Sequence, residues 1–514
     1  MSLLAIDLGT SRCKAAVFDA AGRLIAQSAQ TYAPDFPQPS LAEMHPEKFW
    51  HAVCRSAQTV ARGLGNDPVE ALCLSSHGET FIPVNARGEA TAPAILNIDN
   101  RATTEAAWCE QALGRKQLFE TTGLVVHPMY PIPKILWLRQ HRPDVFQSTA
   151  RFLSVTDYIL SRLGLPPYID YSLASRFLAF DVRQRRWSEA ILNAAELKIG
   201  HLPIPVPAGT IAGKLGANAA RELSVTAGTP AVVGGHDQAC GALGVGVIEA
   251  GRVSDSMGTY ECIVAASDTP SLDEAALAAC LNSYCHVVPE KYVTLAYFPS
   301  GIMMKWFHDL LFANSVRQSD LQLDAAEADH YSWLESQSPL APTGLYITPH
   351  LIGTCNPDFN PSARGVIFGL SAGTSRGQIY KAILEGLACE LAQIGELLAK
   401  AAGDFRDLYV TGGGSRSQLG LQLRAALTGR RLHVMQCQEA VCLGAAILGG
   451  VGAGTYTSIS EAVDQVIREA AIVEPNPKLV AAYAGQAKQY RLLYSSLAVV
   501  RDTCAHAPTG EERQ

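Results

Sequence analysis

The 514-residue chain lacks the features that mark membrane or nucleic-acid-binding proteins. Its apolar runs, such as residues 229–235, fall well short of the ~20 residues that a bilayer-spanning helix needs. Charged residues make up only 17% of the chain, the formal net charge is −7, and no basic tract stands out. A net negative protein does not attract the phosphates of a nucleic acid. We therefore expect a cytoplasmic protein that binds neither membranes nor nucleic acids.

Paired cysteines are also missing. The chain has 13 cysteines but no CxxC pair, and several of them, such as Cys73, Cys262 and Cys389, fall in apolar strand or helix patterns. Metal sites and disulfide frameworks show clustered or regularly spaced cysteines instead. The pattern favours reduced thiols in the core over a metal site or a disulfide framework.

What the chain does contain is one hairpin pattern twice. Residues 4–18 read LAIDLGTSRCKAAVF, and residues 253–266 read VSDSMGTYECIVAA. Aligning Gly9 with Gly258 gives an offset of 258 − 9 = 249 residues, about half the chain. A chain of this length is expected to form roughly two to four domains. The repeat therefore predicts a duplication with two large, related halves.

Both hairpins turn at a Gly-Thr pair, Gly9-Thr10 in the first and Gly258-Thr259 in the second. Backbone N–H groups at a tight glycine turn, with a hydroxyl beside them, form a concave site for phosphate oxygens. Only the first copy has an acidic residue two positions before the glycine of the turn, because Asp7 corresponds to Ser256. A carboxylate in that place suits a metal ion that bridges phosphates. Two facing turns thus predict a triphosphate site with a metal on the Asp7 side.

Strand and helix signals alternate along the chain, as in α/β proteins. In the first half the patterns predict strands at 3–7, 13–19, 24–31, 69–75 and 230–235 and helices at 46–64, 133–139 and 154–163. In the second half they predict helices at 300–311 and 375–398, a strand at 407–410 and a helix from Ser417. The segment 246–252 is the predicted domain boundary, which gives domains 1–246 and 247–500. Residues 501–514 show no pattern and are expected to be disordered.

A third glycine-rich turn, Gly412 to Ser415, follows a predicted strand and precedes a predicted helix. Bare backbone at the carboxyl end of a strand is where α/β sheets bind nucleotides. Such a turn serves close packing as often as binding. Together with the two phosphate-type hairpins, however, it favours ATP.

Asp237 follows Gly234-Gly235 at the predicted start of a helix, beside the domain boundary. An aspartate in that position is by default a helix N-cap. A carboxylate at the mouth of an interdomain cleft also suits the base that takes a proton from a sugar hydroxyl. The local sequence leaves both interpretations open.

The sequence resembles the FGGY family of carbohydrate kinases over nearly its whole length, from residue 4 to about residue 494. The similarity lies in several motifs that occur in the order and spacing of the family. These motifs are IDLGTSRCKAAVFD (6–19), MYPIPKILWLRQH (129–141), GGHDQACGALG (234–244), DSMGTYE (255–261), RGVIFGL with YKAILEG (364–386) and TGGGSRSQ (411–418).

The resemblance implies an α/β fold of two actin-like, ribonuclease H-type domains with a catalytic cleft between them. Residues 1–246 would form the sugar-binding domain and residues 247–500 the nucleotide-binding domain, with ATP and Mg²⁺ as cofactors. By motif match, Asp237 would be the general base and a sugar contact, and Asp7 would hold the magnesium through its water shell. The residues implied at ATP are Gly9, Thr10, Ser11, Gly258, Thr259, Gly301, Lys305, Gly413, Gly414 and Gln418. The role of Lys305 stays open, because glycerol kinase-like sequences have an uncharged residue there and an exposed lysine is usually only solvated.

The chain departs from its relatives in the loop after the predicted strand 69–75. Glycerol kinases have an Arg-Glu pair where this chain reads Gly78-Glu79, and xylulokinases have a Met-His pair there. A tyrosine of the glycerol site aligns with Met129. These departures argue against glycerol as the substrate.

Other polar residues replace those signatures. The segment ILNIDNR (95–101) is similar to the xylulokinase-like ILWNDGR, with Asn97 in place of the tryptophan. We expect a pocket with the carboxylate of Glu79 and with His77, Asn97 and Asp99 as polar neighbours, suited to several hydroxyls of a ketose or polyol. His77 could equally be a hydrogen-bonded structural residue, because histidines after strand ends often are.

The second phosphate loop also departs from the family, since Tyr260 stands where a small residue is common. Its ring is either an ordinary aromatic of a strand or a group that crowds the phosphate site. The sequence does not choose between the two.

These patterns predict a kinase that transfers the γ-phosphate of ATP to a primary hydroxyl of a small sugar, with a xylulose-like pentulose or related ketose as the first candidate. The alternatives are a polyol or autoinducer-type signal kinase of the same family, and a sugar-sensing actin-fold ATPase without sugar turnover. The presence of both Asp7 and Asp237 argues against the sensor. The expected partner is the small-molecule sugar, and the resemblance is compatible with a homodimer.

Overall fold

The computed structural model describes residues 2–64, 67–312 and 323–497, which form two α/β halves. The prediction of a disordered tail at 501–514 falls outside these residues. Within the described ranges, no helix is both long and apolar enough to cross a bilayer.

The first half contains fourteen described strands and ten described helices. The strands are β1 (Ser2–Leu8), β2 (Arg12–Asp19), β3 (Leu24–Thr31), β4 (Glu43–Met44), β5 (Val69–Ser76), β6 (Ile82–Val84), β7 (Ala94–Ile95), β8 (Arg151–Leu153), β9 (Tyr168–Asp170), β10 (Phe180–Asp181), β11 (Arg186–Trp187), β12 (Ile204–Val206), β13 (Ile211–Lys214) and β14 (Pro230–His236). The helices are α1 (Pro46–Ala61), α2 (Thr103–Leu113), α3 (Arg115–Thr122), α4 (Pro131–His141), α5 (Pro143–Ser148), α6 (Val155–Arg162), α7 (Tyr171–Ser175), α8 (Glu189–Ala194), α9 (Ala217–Leu223) and α10 (Asp237–Gly244).

The second half continues with nine described strands and nine described helices. The strands are β15 (Arg252–Met257), β16 (Tyr260–Ser267), β17 (Asn282–Cys285), β18 (Tyr292–Pro299), β19 (Tyr346–Thr348), β20 (Val366–Phe368), β21 (Asp407–Thr411), β22 (Arg431–Met435) and β23 (Glu469–Val473). The helices are α11 (Glu274–Ala278), α12 (Gly301–Phe312), α13 (Leu323–Ser336), α14 (Arg376–Ala402), α15 (Gln418–Thr428), α16 (Ala440–Ala453), α17 (Ile459–Val466), α18 (Pro477–Tyr483) and α19 (Gln486–Ser496).

The main sheets of the two halves share one topology. Their strand orders are β13-β14-β5-β1-β2-β3 and, with the second sheet read from its other edge, β23-β22-β21-β15-β16-β18-β17. In each sheet the hairpin strands are antiparallel (β1 with β2, β15 with β16), and the first hairpin strand is parallel to the next strand inwards (β5, β21). An antiparallel strand, β13 or β23, closes one edge of each sheet. The prediction of a two-domain α/β fold is confirmed, and the repeated hairpins occupy equivalent places.

Residues 3–6 of β1 are all apolar, as expected for a strand in a sheet that is covered on both faces. Leu4 and Ile6 pack in the same cluster as Phe49 of α1. Leu3 and Ala5, which alternate with them, pack on the other face in the cluster that contains α16. A helix of the second half of the sequence therefore lies on the sheet of the first half.

Two helices cross between the halves with their backbones in contact. A Cβ atom on Gly244 of α10 would lie 1.8 Å from the carbonyl oxygen of Ala440, and one on Gly444 of α16 would lie 1.9 Å from that of Cys240. Each helix thus presents a glycine to the backbone of the other, at a distance that excludes any side chain. The crossing of α10 with α16 thus joins the two halves of the chain.

We predict that Gly444→Ala destabilises the protein by about 1–3 kcal/mol, because the added methyl group forces α10 and α16 apart. Urea denaturation followed by circular dichroism measures the change. The control is Gly200→Ala, at an exposed glycine with no neighbour within 4 Å, which should change stability by less than about 0.5 kcal/mol. Equal stability of the Gly444→Ala and wild-type proteins would contradict the close crossing.

Candidate active site

His77 holds the loop that follows β5. Its Nδ1 lies 2.7 Å from the carbonyl oxygen of Leu8, so Nδ1 carries the proton, and Nε2 accepts a hydrogen bond from the Thr80 hydroxyl at 2.7 Å. Burial lowers the pKa of His77, which keeps the ring neutral. Both ring nitrogens are thus used inside the protein. This arrangement favours the structural interpretation of His77 over the predicted sugar contact.

Glu79 forms a buried ion pair that the sequence did not reveal. Its Oε1 lies 2.5 Å from both Nε and Nη2 of Arg176, and Glu79 is only 5% exposed. Burial alone would lower the pKa of Arg176, but the charge of Glu79 raises it, so the guanidinium stays charged. The guanidinium carbon also lies 5.4 Å from the ring of Tyr130 and 4.9 Å from that of Tyr284. Nη1 of Arg176 has no hydrogen-bond partner among the described residues.

Lys134 of α4 is a second buried basic side chain beside the same loop. Its Nζ donates to the carbonyl oxygens of Leu96, at 2.5 Å, and of Glu79, at 3.4 Å. Burial lowers its pKa to about 7, although the charges of Asp99 and Glu79 oppose this shift. Lys134 therefore ties the Glu79 loop to the segment that carries Asn97. Lys134 lies within the motif 129–141, although the sequence did not reveal its burial beside this loop, and Arg176 lies outside the motifs.

Asn97 faces the first phosphate turn. Its backbone N–H donates to Thr80 Oγ1 at 3.0 Å, and its Nδ2 lies 3.4 Å from Thr10 Oγ1. Its Oδ1 is buried and, in the part of the chain that the structure describes, accepts no hydrogen bond. Asn97 therefore links the loop that carries Thr80 to the first phosphate turn and leaves one acceptor open for a ligand.

Asp99 belongs to the scaffold rather than to the pocket. Its carboxylate is fully buried and accepts hydrogen bonds from the Ala42 N–H at 2.6 Å and from Nε and Nη2 of Arg101 at 2.9 and 2.7 Å. A carboxylate engaged on both oxygens by protein donors is poorly placed to bind a sugar. These contacts favour a structural role of Asp99 over the predicted sugar contact.

Asp237 is the first residue of α10 and not its N-cap, which is His236. Its Oδ1 accepts a hydrogen bond from the Gln238 N–H at 2.6 Å and lies 3.3 Å from Nε2 of His236. Burial raises the pKa of Asp237 well above its usual value, and the negative charges of Asp7 and Glu79 raise it further. Asp237 therefore stands within electrostatic reach of both Asp7, beside the first phosphate turn, and Glu79.

A polar cavity of about 180 Å³ lies between the halves, next to Asp7. Lys14 and Glu439, from opposite halves, also line it and form an ion pair with Nζ and Oε2 2.6 Å apart. Among the described residues, Asp7 accepts only a long hydrogen bond, from Ser75 Oγ at 3.3 Å. Burial raises its pKa to about 6, against the opposing charge of Lys14. A carboxylate in a polar cavity that lacks strong protein donors fits a hard cation such as Mg²⁺.

A larger cavity of about 600 Å³ lies in the second half. Six of the residues predicted at ATP line it, namely Gly258, Gly301, Lys305, Gly413, Gly414 and Gln418. Apolar and aromatic groups form other parts of its wall, namely Met257, Met304, Tyr331, Tyr380, Leu384 and Leu387. A cavity that combines bare backbone with an aromatic wall suits a nucleotide.

The glycine-rich segments of this cavity touch one another. A Cβ atom on Gly301, at the start of α12, would lie 2.6 Å from the carbonyl oxygen of Gly258. Gly412 has φ +89°, and a Cβ atom there would lie 2.6 Å from the carbonyl oxygen of Met257. Only glycine allows these approaches, which bring three distant segments of the chain together.

The remaining predicted ATP residues lie in the two hairpin turns. Gly9, Thr10 and Ser11 connect β1 with β2, and the Tyr32 hydroxyl donates to the Gly9 carbonyl oxygen at 2.5 Å. Thr259 is exposed in the equivalent turn between β15 and β16. Lys305 is also exposed and pairs with Asp309 at 3.0 Å. These observations favour the interpretation of Lys305 as a solvated surface lysine at the border of the cavity.

Tyr260 packs as a strand aromatic. Its ring lies 6.0 Å from that of Tyr297 in an edge-to-face arrangement, and Tyr297 in turn contacts Phe359 at 5.6 Å. These contacts favour the packing interpretation over crowding of the phosphate site.

Comparison with known proteins shows the family to which the chain belongs. Residues 2–244 match the N-terminal domain, and residues 253–453 the C-terminal domain, of the FGGY family of carbohydrate kinases. The xylulose kinase of Escherichia coli (strain K12) is 29% identical over 499 residues, which are 96% of this chain and 99% of that protein. The gluconokinase of Bacillus subtilis (strain 168) is 26% identical over 497 residues, 96% and 94% of the two chains.

The fold also matches solved structures. The ligand-bound xylulose kinase of Lactobacillus acidophilus superposes with a TM-score of 0.88 at 22% identity, covering 98% of this chain and 99% of that one. At this identity the match supports the fold alone. The two domain matches cover most of the sequence and confirm the family predicted from its motifs: the chain belongs to the FGGY family of carbohydrate kinases, phosphotransferases that act on an alcohol group.

Proposed function

We propose that this protein transfers the γ-phosphoryl group of ATP to a primary hydroxyl of a small sugar, with a xylulose-like pentulose or a related ketose as the first candidate. The observation that carries the proposal is the position of Asp237. It begins α10 at the junction of the halves, and its pKa responds to Asp7 on the phosphate side and to Glu79 on the pocket side. A carboxylate between a phosphate site and a polar pocket is placed to serve both reactants.

In this mechanism Asp237 accepts the proton of the sugar hydroxyl as that oxygen attacks the γ-phosphorus. Its raised pKa makes the carboxylate a stronger base than an exposed aspartate. Asp7 would hold Mg²⁺ through its water shell, and the metal would neutralise charge on the phosphates. The charge of Arg176 opposes the rise in the pKa of Asp237 and so favours the ionised carboxylate that a base requires.

ATP would lie across the cleft. We place its base and ribose against the 600 Å³ cavity, where Gly413, Gly414 and Gln418 form part of the wall. Its phosphates would lie between the two hairpin turns, with Gly9, Thr10 and Ser11 on one side and Gly258 and Thr259 on the other. Gly301 supports the second turn through its contact with the Gly258 carbonyl oxygen.

The polar pocket suits an uncharged sugar with several hydroxyls. The Glu79–Arg176 pair offers an acceptor beside a donor, and the open Oδ1 of Asn97 offers a second acceptor. A side chain on Gly78 would meet Arg176 Cγ at 2.9 Å and His236 Cδ2 at 3.0 Å, so an arginine of the glycerol-kinase type does not fit there. This clash supports the argument against glycerol.

The experiment that tests the proposal is ADP release from ATP and magnesium with a panel of pentuloses, hexuloses, aldoses, polyols, gluconate and an autoinducer-type furanone. Turnover with one ketose supports the proposal. Turnover with a polyol, an aldonate or the furanone instead moves the substrate class within the family. ATP hydrolysis without dependence on any sugar would contradict the kinase and favour a sugar-sensing ATPase. The cytoplasmic location and the homodimer stay predictions.

We predict that Asp237→Asn lowers kcat by about 10²–10⁴-fold, because the amide cannot accept the hydroxyl proton. ATP binding, measured by calorimetry, should stay close to that of the wild type. Asp268→Asn, which changes an exposed carboxylate of the second half, is the matched control and should retain full turnover. Near-normal kcat in the Asp237→Asn protein would remove Asp237 from the role of base.

Glu79 and Asp99 should respond differently to the same kind of change. Glu79→Gln removes one charge of the buried Glu79–Arg176 pair, so it should lower the unfolding free energy. It should also raise the KM for the sugar roughly tenfold, the equivalent of one charged hydrogen bond, with little change in the KM for ATP. Asp99→Asn should lower the unfolding free energy by about 1–3 kcal/mol, because Asp99 holds Arg101 and Ala42, but should leave the sugar KM unchanged.

Steady-state kinetics and urea denaturation of both variants provide the two readouts. A rise in sugar KM in the Asp99→Asn protein, without one in the Glu79→Gln protein, would reverse the assignment.

Gly301→Ala should raise the KM for ATP by about tenfold. The added methyl group would collide with the Gly258 carbonyl oxygen and so displace the second phosphate turn. The KM for the sugar, which binds in the other half, should change little. Gly373→Ala, at a glycine with no neighbour within 4 Å, is the control and should leave both values unchanged. A selective effect of Gly301→Ala on the sugar KM would argue against the placement of ATP.

A further inference from the structure

His236 stands between the general base and a tyrosine of the other half. Its Nε2 lies 3.3 Å from Oδ1 of Asp237, and its Nδ1 lies 3.1 Å from the hydroxyl of Tyr284. His236 ends β14 of the first half, whereas Tyr284 lies in β17 of the second half. All three residues thus form one chain of polar contacts across the junction.

The chemistry of the partners fixes the protons in this chain. In the ionised state that a base requires, the Asp237 carboxylate only accepts hydrogen bonds, so Nε2 then carries the proton that faces Asp237. In a neutral imidazole Nδ1 then accepts, and the Tyr284 hydroxyl is its donor. Burial, with Arg176 and His77 nearby, lowers the pKa of His236 well below its usual value and so keeps the ring neutral.

The surroundings leave the imidazole little freedom. His236 is 4% exposed and Tyr284 is fully buried, with the two rings edge to face at 5.4 Å. The His236 backbone N–H donates to Ser172 Oγ at 2.9 Å. On the open side lies Gly78, where a Cβ atom would come within 3.1 Å of Nε2. The ring is therefore held in one orientation, with the absent side chain of Gly78 providing its space.

We propose that His236 is a positioning residue for Asp237: the Tyr284 hydroxyl selects the tautomer whose Nε2–H faces Oδ1 across 3.3 Å, which holds that oxygen by its charge and leaves Oδ2 to accept the proton of the sugar hydroxyl. This inference rests on the proposed function of Asp237 as the base. Because the donor to Nδ1 comes from the second half, the base is aligned only when the two halves are packed together. Such support of a reacting group by a second residue is how enzymes preorganise their sites.

The kinetic test uses the full-length protein with two replacements of similar length. His236→Gln keeps an N–H donor near the position of Nε2, whereas His236→Met keeps the volume without a donor. His236→Met should lower kcat roughly 10- to 100-fold, the rate equivalent of one hydrogen bond to a charged group, with the KM values for sugar and ATP nearly unchanged. His236→Gln should recover most of the lost kcat.

Tyr284→Phe keeps the buried ring and removes only the hydroxyl, so it should lower kcat in the same way but less. Equal loss in the Gln and Met variants, or a rise in sugar KM at constant kcat, would overturn the proposal, since the first indicates a packing role and the second a direct sugar contact. Full kcat in the His236→Met protein would overturn it as well.

A second measurement separates this inference from the proposed function. In ¹⁵N NMR spectra of histidine-labelled protein, His236 should be neutral and protonated on Nε2, with its signals assigned by their loss in the His236→Gln variant. His77, which donates from Nδ1 to Leu8, should show the opposite tautomer in the same spectrum. An Nδ1-protonated His236 would overturn the relay whether or not the protein phosphorylates any sugar, whereas inactivity of the wild type against the whole panel would count only against the proposed function.

Discussion

The backbone contact between α10 and α16 is the constraint on which the rest of the molecule depends. Gly244 and Gly444 each meet a carbonyl oxygen of the other helix, so the separation of the helices cannot change without breaking the contact. Asp237 begins α10, and Glu439, the residue before α16, pairs with Lys14 across the cavity beside Asp7. The crossing therefore places the candidate base next to the candidate phosphate site. A kinase must exclude water from the phosphoryl transfer, and two helices packed backbone to backbone leave no room for water between them.

Buried charge shapes the other side of the site. Glu79 and Arg176 are buried as an ion pair. Lys134 donates hydrogen bonds to two carbonyl oxygens and not to a carboxylate. Removing one member of a buried ion pair leaves the other charge uncompensated, so the stability of the fold depends on both residues being present. The loop after β5 is thereby fixed before any ligand arrives. Tyr130 and Tyr284, one from each half, contact the same guanidinium and connect this loop to the junction.

The features that could be predicted from the sequence are those that depend on local backbone conformation. Two Gly-Thr hairpins, a Gly-rich turn after a strand and alternating strand and helix patterns predicted the two α/β halves, and the motifs identified the family. These features are local because a tight turn or a close backbone approach needs glycine at one particular position. Gly301 and Gly412 illustrate this point, since each fills a place where a Cβ atom would collide with a neighbouring carbonyl oxygen. Short strands of two or three residues, such as β4 and β10, show no periodicity and were not predicted.

What only the tertiary structure decided is which polar residues face the pocket and which support it. His77 and Asp99 read alike in the sequence as polar neighbours of Glu79, yet both are satisfied by protein partners, His77 by Leu8 and Thr80 and Asp99 by Ala42 and Arg101. The Glu79–Arg176 pair and the His236–Tyr284 contact could not be predicted from the sequence, because their members are 97 and 48 residues apart along the chain. Hydrogen bonding and burial depend on distant segments meeting in space, whereas turns and strands depend on neighbours along the chain, and this difference separates what the sequence determined from what folding decided.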